Sequence, residues 1–175
     1  IGGQLTLESG RTVRIHHIHL EEDAGKSLHD QDPFDSLIDL NRAGVPLLEI
    51  VTEPDLRSAD EVAAFMTEMR RLVRWLDISD GNMEEGSLRC DVNVSVRKTG
   101  EMRLGQRCEV KNVNSMKFAR RAIAFEAARQ IDLLENGGTV QQETRGFDPA
   151  EMEALSLINN QEVNAVLSGV FPHFQ

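Results

Sequence analysis

Apolar residues recur three and four positions apart between Ser58 and Leu76, which is the spacing of an amphipathic helix. Ser58 is followed three residues later by Glu61, a pair typical of a capping box at a helix N-terminus. The apolar stripe consists of Val62, Phe65, Met66, Met69, Leu72, Val73 and Leu76. The pattern therefore predicts a helix with one face in the core. A stripe of methionine and aromatic residues at this spacing is more typical of core packing than of a cofactor site.

A second long helix is predicted from Ser115 to about Glu135. Serine is a preferred residue at the position before the first helical turn, where its side chain accepts a free backbone N–H. The segment 136–138, Asn-Gly-Gly, is suited to the left-handed backbone conformation that ends many helices. From Thr139 onward the pattern is weaker.

Two segments alternate apolar and polar residues, as strands with one buried face do. They are Ser87–Arg97 and Gln106–Val113. The segment 98–101, Lys-Thr-Gly-Glu, is a plausible turn between them. We therefore predict an antiparallel hairpin.

The register of that hairpin decides which polar side chains meet. If Asp91 lies opposite Lys111 and Asn93 lies opposite Glu109, all four side chains share the face that is not apolar. On the pattern alone, this face could simply be solvated. The mixture of acidic, amide and basic side chains would also suit Mg²⁺ together with phosphate.

The first third of the chain is predicted to add further strands. Residues 4–20 are strand-like around a turn at Ser9-Gly10, residues 26–35 read as a loop, and residues 46–53 read as a buried strand. Antiparallel strands with helices on one side give an α+β fold, with a β-sheet core flanked by long helices.

The stretch His19–Ser27, HLEEDAGKS, ends like the phosphate-binding loop of nucleotide hydrolases. That loop requires a glycine five residues before its second glycine, and here Leu20 stands five residues before Gly25. Three carboxylates also precede Gly25 and would repel bare phosphate, so we reject a P-loop. A phosphate could be held here only with a divalent cation between it and the carboxylates.

Glu49 interrupts the apolar strand LLEIV, where a carboxylate is costly unless it is paired or binds a metal. A satisfied salt bridge in the core and a metal site both remain open. His17 and His19 would face the same way on a strand, which allows a zinc pair. A structural or phosphate-facing His19 is the other reading.

Composition limits the classes of protein to which the chain can belong. It has 175 residues, 40% of them hydrophobic, which suits one domain, or one domain and an appendage, with a buried core. A formal charge of −10 argues against a broad basic surface for nucleic acid.

The cysteines, Cys90 and Cys108, lack metal-ligand spacing and indicate a reducing compartment. No apolar run is long enough for a membrane span. The chain begins with Ile1 without a leader pattern, so we expect a piece of a longer protein.

Five blocks, in order, resemble one family. They are HLEEDAGKS, NRAGVPLLEIVTEPDLRS, MEEGSLRCDVNVSVR, EVKNVNS and GGTVQQETRGFD. Together they resemble the B subunit of the tRNA-dependent glutamyl/aspartyl amidotransferase, from about Val13 to Asp148. We therefore expect residues 1–148 to be part of that protein's catalytic domain, which is built as a cradle-like antiparallel sheet with helices. Residues 149–175 do not match the family pattern and form a divergent C-terminal segment.

The resemblance implies a ligase of protein biosynthesis. The family converts Glu-tRNA(Gln) or Asp-tRNA(Asn) to the amide form by phosphorylating the side-chain carboxylate with ATP and Mg²⁺. Ammonia from a glutaminase A subunit then displaces the phosphate, and a small C subunit supports the pair. The misacylated tRNA is bound mainly through C-terminal domains. The compartment would be bacterial cytoplasm, mitochondrion or plastid.

The resemblance also assigns candidate site residues. Its metal-binding positions fall on Glu22, Glu49, Glu84, Glu85 and Asp91. From their chemistry we assign Arg89 and Lys111 to offset phosphate charge, and we place Glu109 with them as catalytic. For nucleotide contacts we name Lys26, Asn93, Asn112 and Asn114.

Two departures keep alternatives open. The family's N-terminal segment is absent, and an aromatic motif expected after residue 148 is missing, since the chain has no tyrosine. The chain is therefore either the kinase-like core of a transamidase or a catalytically incompetent relative that only binds ligands or a partner. A weaker third reading is an unrelated metal-dependent phosphatase or nuclease.

Overall fold

The computed structural model describes residues 2–28 and 34–146, and the backbone of 162–170. Within these ranges the helices are α1 (Ala59–Trp75) and α2 (Met116–Glu135). The strands are β1 (Gly3–Thr6), β2 (Thr12–Glu22), β3 (Lys26–Leu28), β4 (Leu37–Asp39), β5 (Pro46–Thr52), β6 (Cys90–Arg97), β7 (Cys108–Val113), β8 (Thr144–Gly146) and β9 (Glu162–Val170).

Seven strands form one sheet in the order β1-β2-β5-β9-β6-β7-β8, and β3 and β4 form a separate two-stranded sheet. Every neighbouring pair is antiparallel except β7 and the short edge strand β8, which are parallel. Mixed helix and strand content around an antiparallel sheet confirms the predicted α+β class.

Helix α1 begins where the sequence predicts. The Ser58 hydroxyl accepts the backbone N–H of Glu61 at 3.1 Å, which is the first half of the capping box. The second half differs, because the Glu61 carboxylate accepts the backbone N–H of Arg57 at 2.7 Å rather than that of Ser58. The first turn of α1 is therefore hydrogen-bonded both to Ser58, the cap, and to Arg57, the residue before it.

Helix α2 also agrees with the prediction at both ends. Ser115 Oγ accepts the N–H of Phe118 at 3.1 Å. At the other end Gly137 has a φ of +76°, and the N–H of Gly138 reaches the carbonyl of Leu133 at 2.8 Å. A left-handed residue followed by such a bond is the usual way to satisfy the last carbonyls of a helix.

Both helices contribute to one apolar core that also takes in the inward face of the sheet. The alternating residues of β6 enter this core, as their spacing predicts. The fully or almost fully buried residues include Val13, Leu56, Val62, Phe65, Met66, Leu88, Val92, Val94 and Ile123. The polar residues between them on β6 therefore lie on the opposite face of the sheet.

The register predicted for the β6–β7 hairpin is confirmed at one of its two predicted pairs. Asn93 lies directly opposite Glu109. A β-bulge follows towards Cys90, and the Lys111 ammonium still comes within 4.0 Å of the Asp91 carboxylate. The turn predicted at residues 98–101 contains Gly100 with a φ of +87°.

Two regions contain strands that the sequence pattern does not predict. The predicted loop at 26–35 instead starts with β3, in which Lys26 pairs with Asp39 of β4; residues 29–33 lie outside the described part. Three residues carry too little periodicity to reveal such a strand. The segment HLEEDAGKS thus runs from β2 into β3 and opens no helix, which supports rejecting a P-loop. Within the segment 149–175, β9 pairs with both β5 and β6.

Candidate metal and phosphate site

Three potential metal ligands meet where β2 pairs with β5. His19 lies opposite Glu49, and Glu21 follows His19 by two residues, so all three side chains fall on one face. His19 Nδ1 lies 3.1 Å from a carboxylate oxygen of Glu21. One potential ligand atom from each of the three residues lies within 4.8 Å of the others.

This group can accommodate a divalent cation. Two carboxylates supply the oxygen ligands that Mg²⁺ prefers, and Mg²⁺ commonly keeps several waters besides one or two carboxylates. The imidazole also makes the group suitable for Mn²⁺ or other transition metals. Glu49 therefore belongs to a group that could hold a metal ion, and its role as a metal ligand stays a prediction.

Glu22 lies on the other face of β2, since it directly follows Glu21 and is paired with Pro46. The structure therefore places Glu21, and not the predicted Glu22, beside Glu49. A metal-binding role of Glu22 stays a prediction. The sequence points to the acidic run, and the strand register decides which of its members faces Glu49.

A zinc pair of His17 and His19 is not what the described residues form. The Nδ1 atoms of His16 and His17 are 2.6 Å apart, and their rings meet edge to face. His17 and His19 pair with Val51 and Glu49 in continuous register, so they lie on one face of β2 as predicted, and the bulge lies before them, between Ile15 and His17. Only His19 of the three histidines joins the carboxylate group.

A cavity of about 520 Å³ lies on the β6–β7 side of the sheet. It brings together several predicted site residues with residues that the sequence did not single out. Its lining consists of Arg42, Met83, Glu84, Glu85, Gly86, Leu88, Arg89, Cys90, Asp91, Lys111, Val113 and Asn114. Glu84 and Glu85 lie on the turn-rich loop that precedes β6, as predicted.

Asp91 is the half-buried carboxylate of this cavity. Burial raises its pKa above the ordinary value, and the negative charges of Glu109 and Glu49 act in the same direction. The positive charges of Lys111 and Arg89 oppose that rise. Because Glu49 contributes to the potential at Asp91, the β2–β5 group and the cavity are close enough to interact electrostatically.

Sequence reasoning missed Arg42, and it noted Asp23 only as one of the three carboxylates before Gly25. Asp23 comes directly after β2, and its carboxylate lies 3.0 Å from Arg42 Nε and 3.7 Å from Arg89 Nη2. Arg42 also donates to the carbonyl of Gly86 at 3.3 Å. The structure thus ties the HLEED segment to the loop before β6 through two arginines. Arg42 lies in the segment NRAG, and a single arginine in such a segment is too common to indicate a site from the sequence alone.

Four of the predicted residues lie elsewhere or are only partly described. Lys26 is exposed in the separate β3–β4 sheet and is not among the residues that line the cavity. Asn93 and Glu109 line a neighbouring cavity of about 380 Å³ with Arg107, Gln142, Glu143 and Thr144. For Asn112 the structure describes only the backbone, within β7.

The sequence agrees with one known family over most of its length. A sequence model of the GatB/GatE catalytic domain matches residues 1–165. The chain belongs to this family. The match confirms the resemblance inferred from the five sequence blocks. It also extends beyond Asp148, although the predicted domain boundary at that residue remains a prediction.

Curated relatives share more than half of their aligned residues with the chain. The B subunit of the aspartyl/glutamyl-tRNA(Asn/Gln) amidotransferase of Methylobacterium radiotolerans is 58% identical over 153 residues, 87% of this chain and 31% of that protein. The protein of the same name from Thioalkalivibrio sulfidiphilus is 55% identical over 163 residues, 92% of this chain and 34% of that protein. That from Pelagibacter ubique is 53% identical over 154 residues, 88% of this chain and 31% of that protein.

The chain thus spans about a third of the length of these relatives. In the part of the chain that the structure describes, neither helix is long and apolar enough to cross a membrane.

Proposed function

We propose that this GatB-family chain carries the carboxylate-activating site of a tRNA-dependent amidotransferase, using ATP and Mg²⁺. The observation that carries the proposal is the pairing of a cation-suited group with a charged cavity. His19, Glu21 and Glu49 form the group, and the negative charge of Glu49 acts electrostatically on Asp91 in the cavity. Membership of the family and the names of the relatives support the same reading.

The role proposed for each site residue follows from its charge. His19, Glu21 and Glu49 would hold the cation, which when bound would neutralise charge on the phosphates of ATP. Arg89 and Lys111 line the cavity and supply positive charge for phosphate oxygens, and Arg42 adds a third cationic side chain. Binding and orientation of this kind are the main protein contributions to phosphoryl transfer.

The proposed chemistry has two steps. A carboxylate oxygen of the aminoacyl group attacks the γ-phosphorus of ATP, the bond to the bridging oxygen breaks, and ADP leaves. Ammonia then attacks the carbonyl carbon of the acyl phosphate, phosphate leaves, and the attacking nitrogen loses a proton. Asp91 is suited to accept that proton because burial raises its pKa.

The substrate and partners proposed are those of the complete enzyme. The misacylated tRNA is Glu-tRNA(Gln) or Asp-tRNA(Asn), as the relatives' names indicate. A glutaminase A subunit would supply ammonia, and a small C subunit would complete the assembly. We place the protein in bacterial cytoplasm or in a mitochondrion or plastid.

The first test is calorimetric titration of Mg²⁺ and then ATP into the 175-residue chain and its variants. We expect Glu49→Gln and Glu21→Gln each to weaken Mg²⁺ binding by roughly tenfold or more, by analogy with outer-shell changes that cost about 10–100-fold. Glu22→Gln is the matched control, because it changes a neighbouring carboxylate on the opposite face and should leave binding intact. Equal losses in Glu21→Gln and Glu22→Gln would contradict the proposed metal group.

The same titration separates the site from a purely structural role. Lys111→Gln should weaken ATP binding in the presence of Mg²⁺, since it removes a positive charge from the cavity, whereas Asp91→Asn removes a negative charge and should leave ATP binding intact while slowing amidation. A folded wild-type chain that binds neither ligand would favour the catalytically incompetent relative. ATP-dependent amidation of misacylated tRNA in a reconstituted assembly would decide between activation and mere binding.

A further inference from the structure

We propose that Thr144 is a positioning residue that fixes the carboxylate of Glu109 beside Lys111, and that a buried ion-pair network on α2 holds the strand carrying Thr144 in register. The proposal concerns the geometry of Glu109 itself, and only its effect on ligand binding rests on the proposed function.

Thr144 contacts Glu109 through both side chain and strand. Thr144 Oγ1 donates to Glu109 Oε2 at 2.8 Å, and the two residues are direct partners across the parallel β7–β8 pair. The backbone N–H of Glu109 donates to the carbonyl of Glu143 at 2.9 Å. Glu109 is therefore held at its backbone and at its carboxylate by consecutive residues of the chain.

Glu109 in turn belongs to a row of charges that reaches the cavity. Its carboxylate lies 3.9 Å from the Lys111 ammonium, which lies 4.0 Å from the Asp91 carboxylate. Lys111 is thus shared between two carboxylates and is bound tightly by neither. A rotation of Glu109 would leave Lys111 with one of these two neighbours, and would change the potential at Asp91, to which both residues contribute.

The short strand β8 needs support, because a three-residue parallel edge strand forms few backbone hydrogen bonds. The support comes from Glu126 on α2, whose carboxylate is almost fully buried and accepts two hydrogen bonds from Arg129, at 2.7 and 2.9 Å. Arg145 of β8 lies 3.9 Å from Glu126 and 2.8 Å from Glu143. Arg129 lies 3.7 Å from Glu143, so β8 and the residue before it are tied to the helix.

Gln130 anchors the same network to the sheet. Its amide donates to the Glu126 carboxylate at 2.7 Å and to the carbonyl of Val94 at 3.0 Å. The buried side chains of α2 therefore connect β6, the helix and β8. We infer that this connection keeps Thr144 where its hydroxyl meets Glu109.

The test compares Thr144→Val, which removes the hydroxyl at nearly constant shape, with Thr144→Ser, which keeps it. Thr6→Val is the control, since Thr6 is also an exposed threonine of an edge strand, and its hydroxyl pairs with that of Thr12, at 3.2 Å. NMR three-bond couplings report the χ1 rotamer of Glu109. We expect one rotamer in wild type, Thr144→Ser and Thr6→Val, and rotamer averaging in Thr144→Val.

A single Glu109 rotamer in Thr144→Val would overturn the proposal, as would averaging in Thr144→Ser. Should Thr144→Val fail to fold, Thr144→Ala provides the same comparison. Under the proposed function, Thr144→Val should also weaken Mg²⁺-dependent ATP binding about threefold to tenfold, the loss expected for one hydrogen bond. If the wild-type chain binds no ATP, the proposed function fails, while the rotamer comparison still decides the role of Thr144.

Discussion

Asp91 and Val92 are consecutive residues of β6, and the two faces of the sheet on which they lie are built differently. Val92 is fully buried within the helix-covered core. Asp91 lies on the other face, where charged residues from several elements line a cavity. A single step along the strand thus separates a face selected for packing from one that keeps charges accessible.

The carboxylates of Asp55 and Asp91 also differ in their electrostatic surroundings. Asp55 receives both a 2.7 and a 2.9 Å hydrogen bond from the Arg14 guanidinium, and these bonds lower the pKa of Asp55 below its ordinary value. Asp91 has its cation at 4.0 Å, and burial raises its pKa. In a close, bidentate pair the carboxylate charge is already stabilised by its partner. A loosely paired carboxylate can still be stabilised by binding a proton or a ligand.

The largest effect is expected in the core. Met66 is fully buried, and Met66→Ala should lower the free energy of unfolding by about 2–5 kcal/mol through lost burial and a cavity. Met102 is 91% exposed, so Met102→Ala should change it by no more than about 0.5 kcal/mol. Urea unfolding measures both variants. Similar losses for the two would show that α1 is not packed as described.

A smaller effect is expected at Asp55, with a defined pH dependence. Since the pKa of Asp55 is lowered on folding, its stabilising contribution is present above the ordinary aspartate pKa and is lost as pH falls through the folded value. Asp55→Asn should therefore lower stability near neutral pH and flatten the acid side of the stability curve. Unfolding measured from about pH 7 down to about pH 2 tests this, because the ordinary pKa lies near 3.9. An unchanged acid limb would refute the pairing.

The smallest effect, of opposite sign, is expected at Asp91. Because its pKa is raised, the folded state holds the proton more tightly, so stability decreases as pH rises from the ordinary aspartate value through the folded value. Asp91→Asn should remove this decrease and leave the chain slightly more stable near neutral pH. Denaturant unfolding between about pH 4 and pH 7 brackets that range. A loss of stability in Asp91→Asn would mean that Asp91 belongs with Asp55 as a structural carboxylate.

Local signals allowed much of the fold to be predicted. Ser58 and Ser115 mark the beginnings of the two helices, and strict alternation gives the β6–β7 hairpin with Asn93 opposite Glu109. These features depend on neighbours in sequence, so a single chain reveals them. The strands β3, β4 and β8 have three residues each and depend on pairing with other segments, which local patterns do not encode.

The candidate site was predictable in composition but not in detail. The carboxylates of HLEED and LLEIV are visible in the sequence, yet only the β2–β5 register shows that Glu21, rather than Glu22, faces Glu49. Arg42 and Asp23 meet through loop geometry that no sequence spacing specifies. The sequence predicts a phosphate contact at Lys26, but this residue lies in a separate sheet, on a strand too short to predict.

The central position of β9 has a consequence for the order of folding. In the described part of the chain, β9 is the strand that joins β5, which carries Glu49, to β6, which carries Asp91. It pairs with β5 across more than a hundred residues of sequence, and such distant contacts form slowly because loop closure comes first. During synthesis we expect the helices and the β6–β7 hairpin to form early. The two sets of charged residues would come together only once residues 162–170 have left the ribosome.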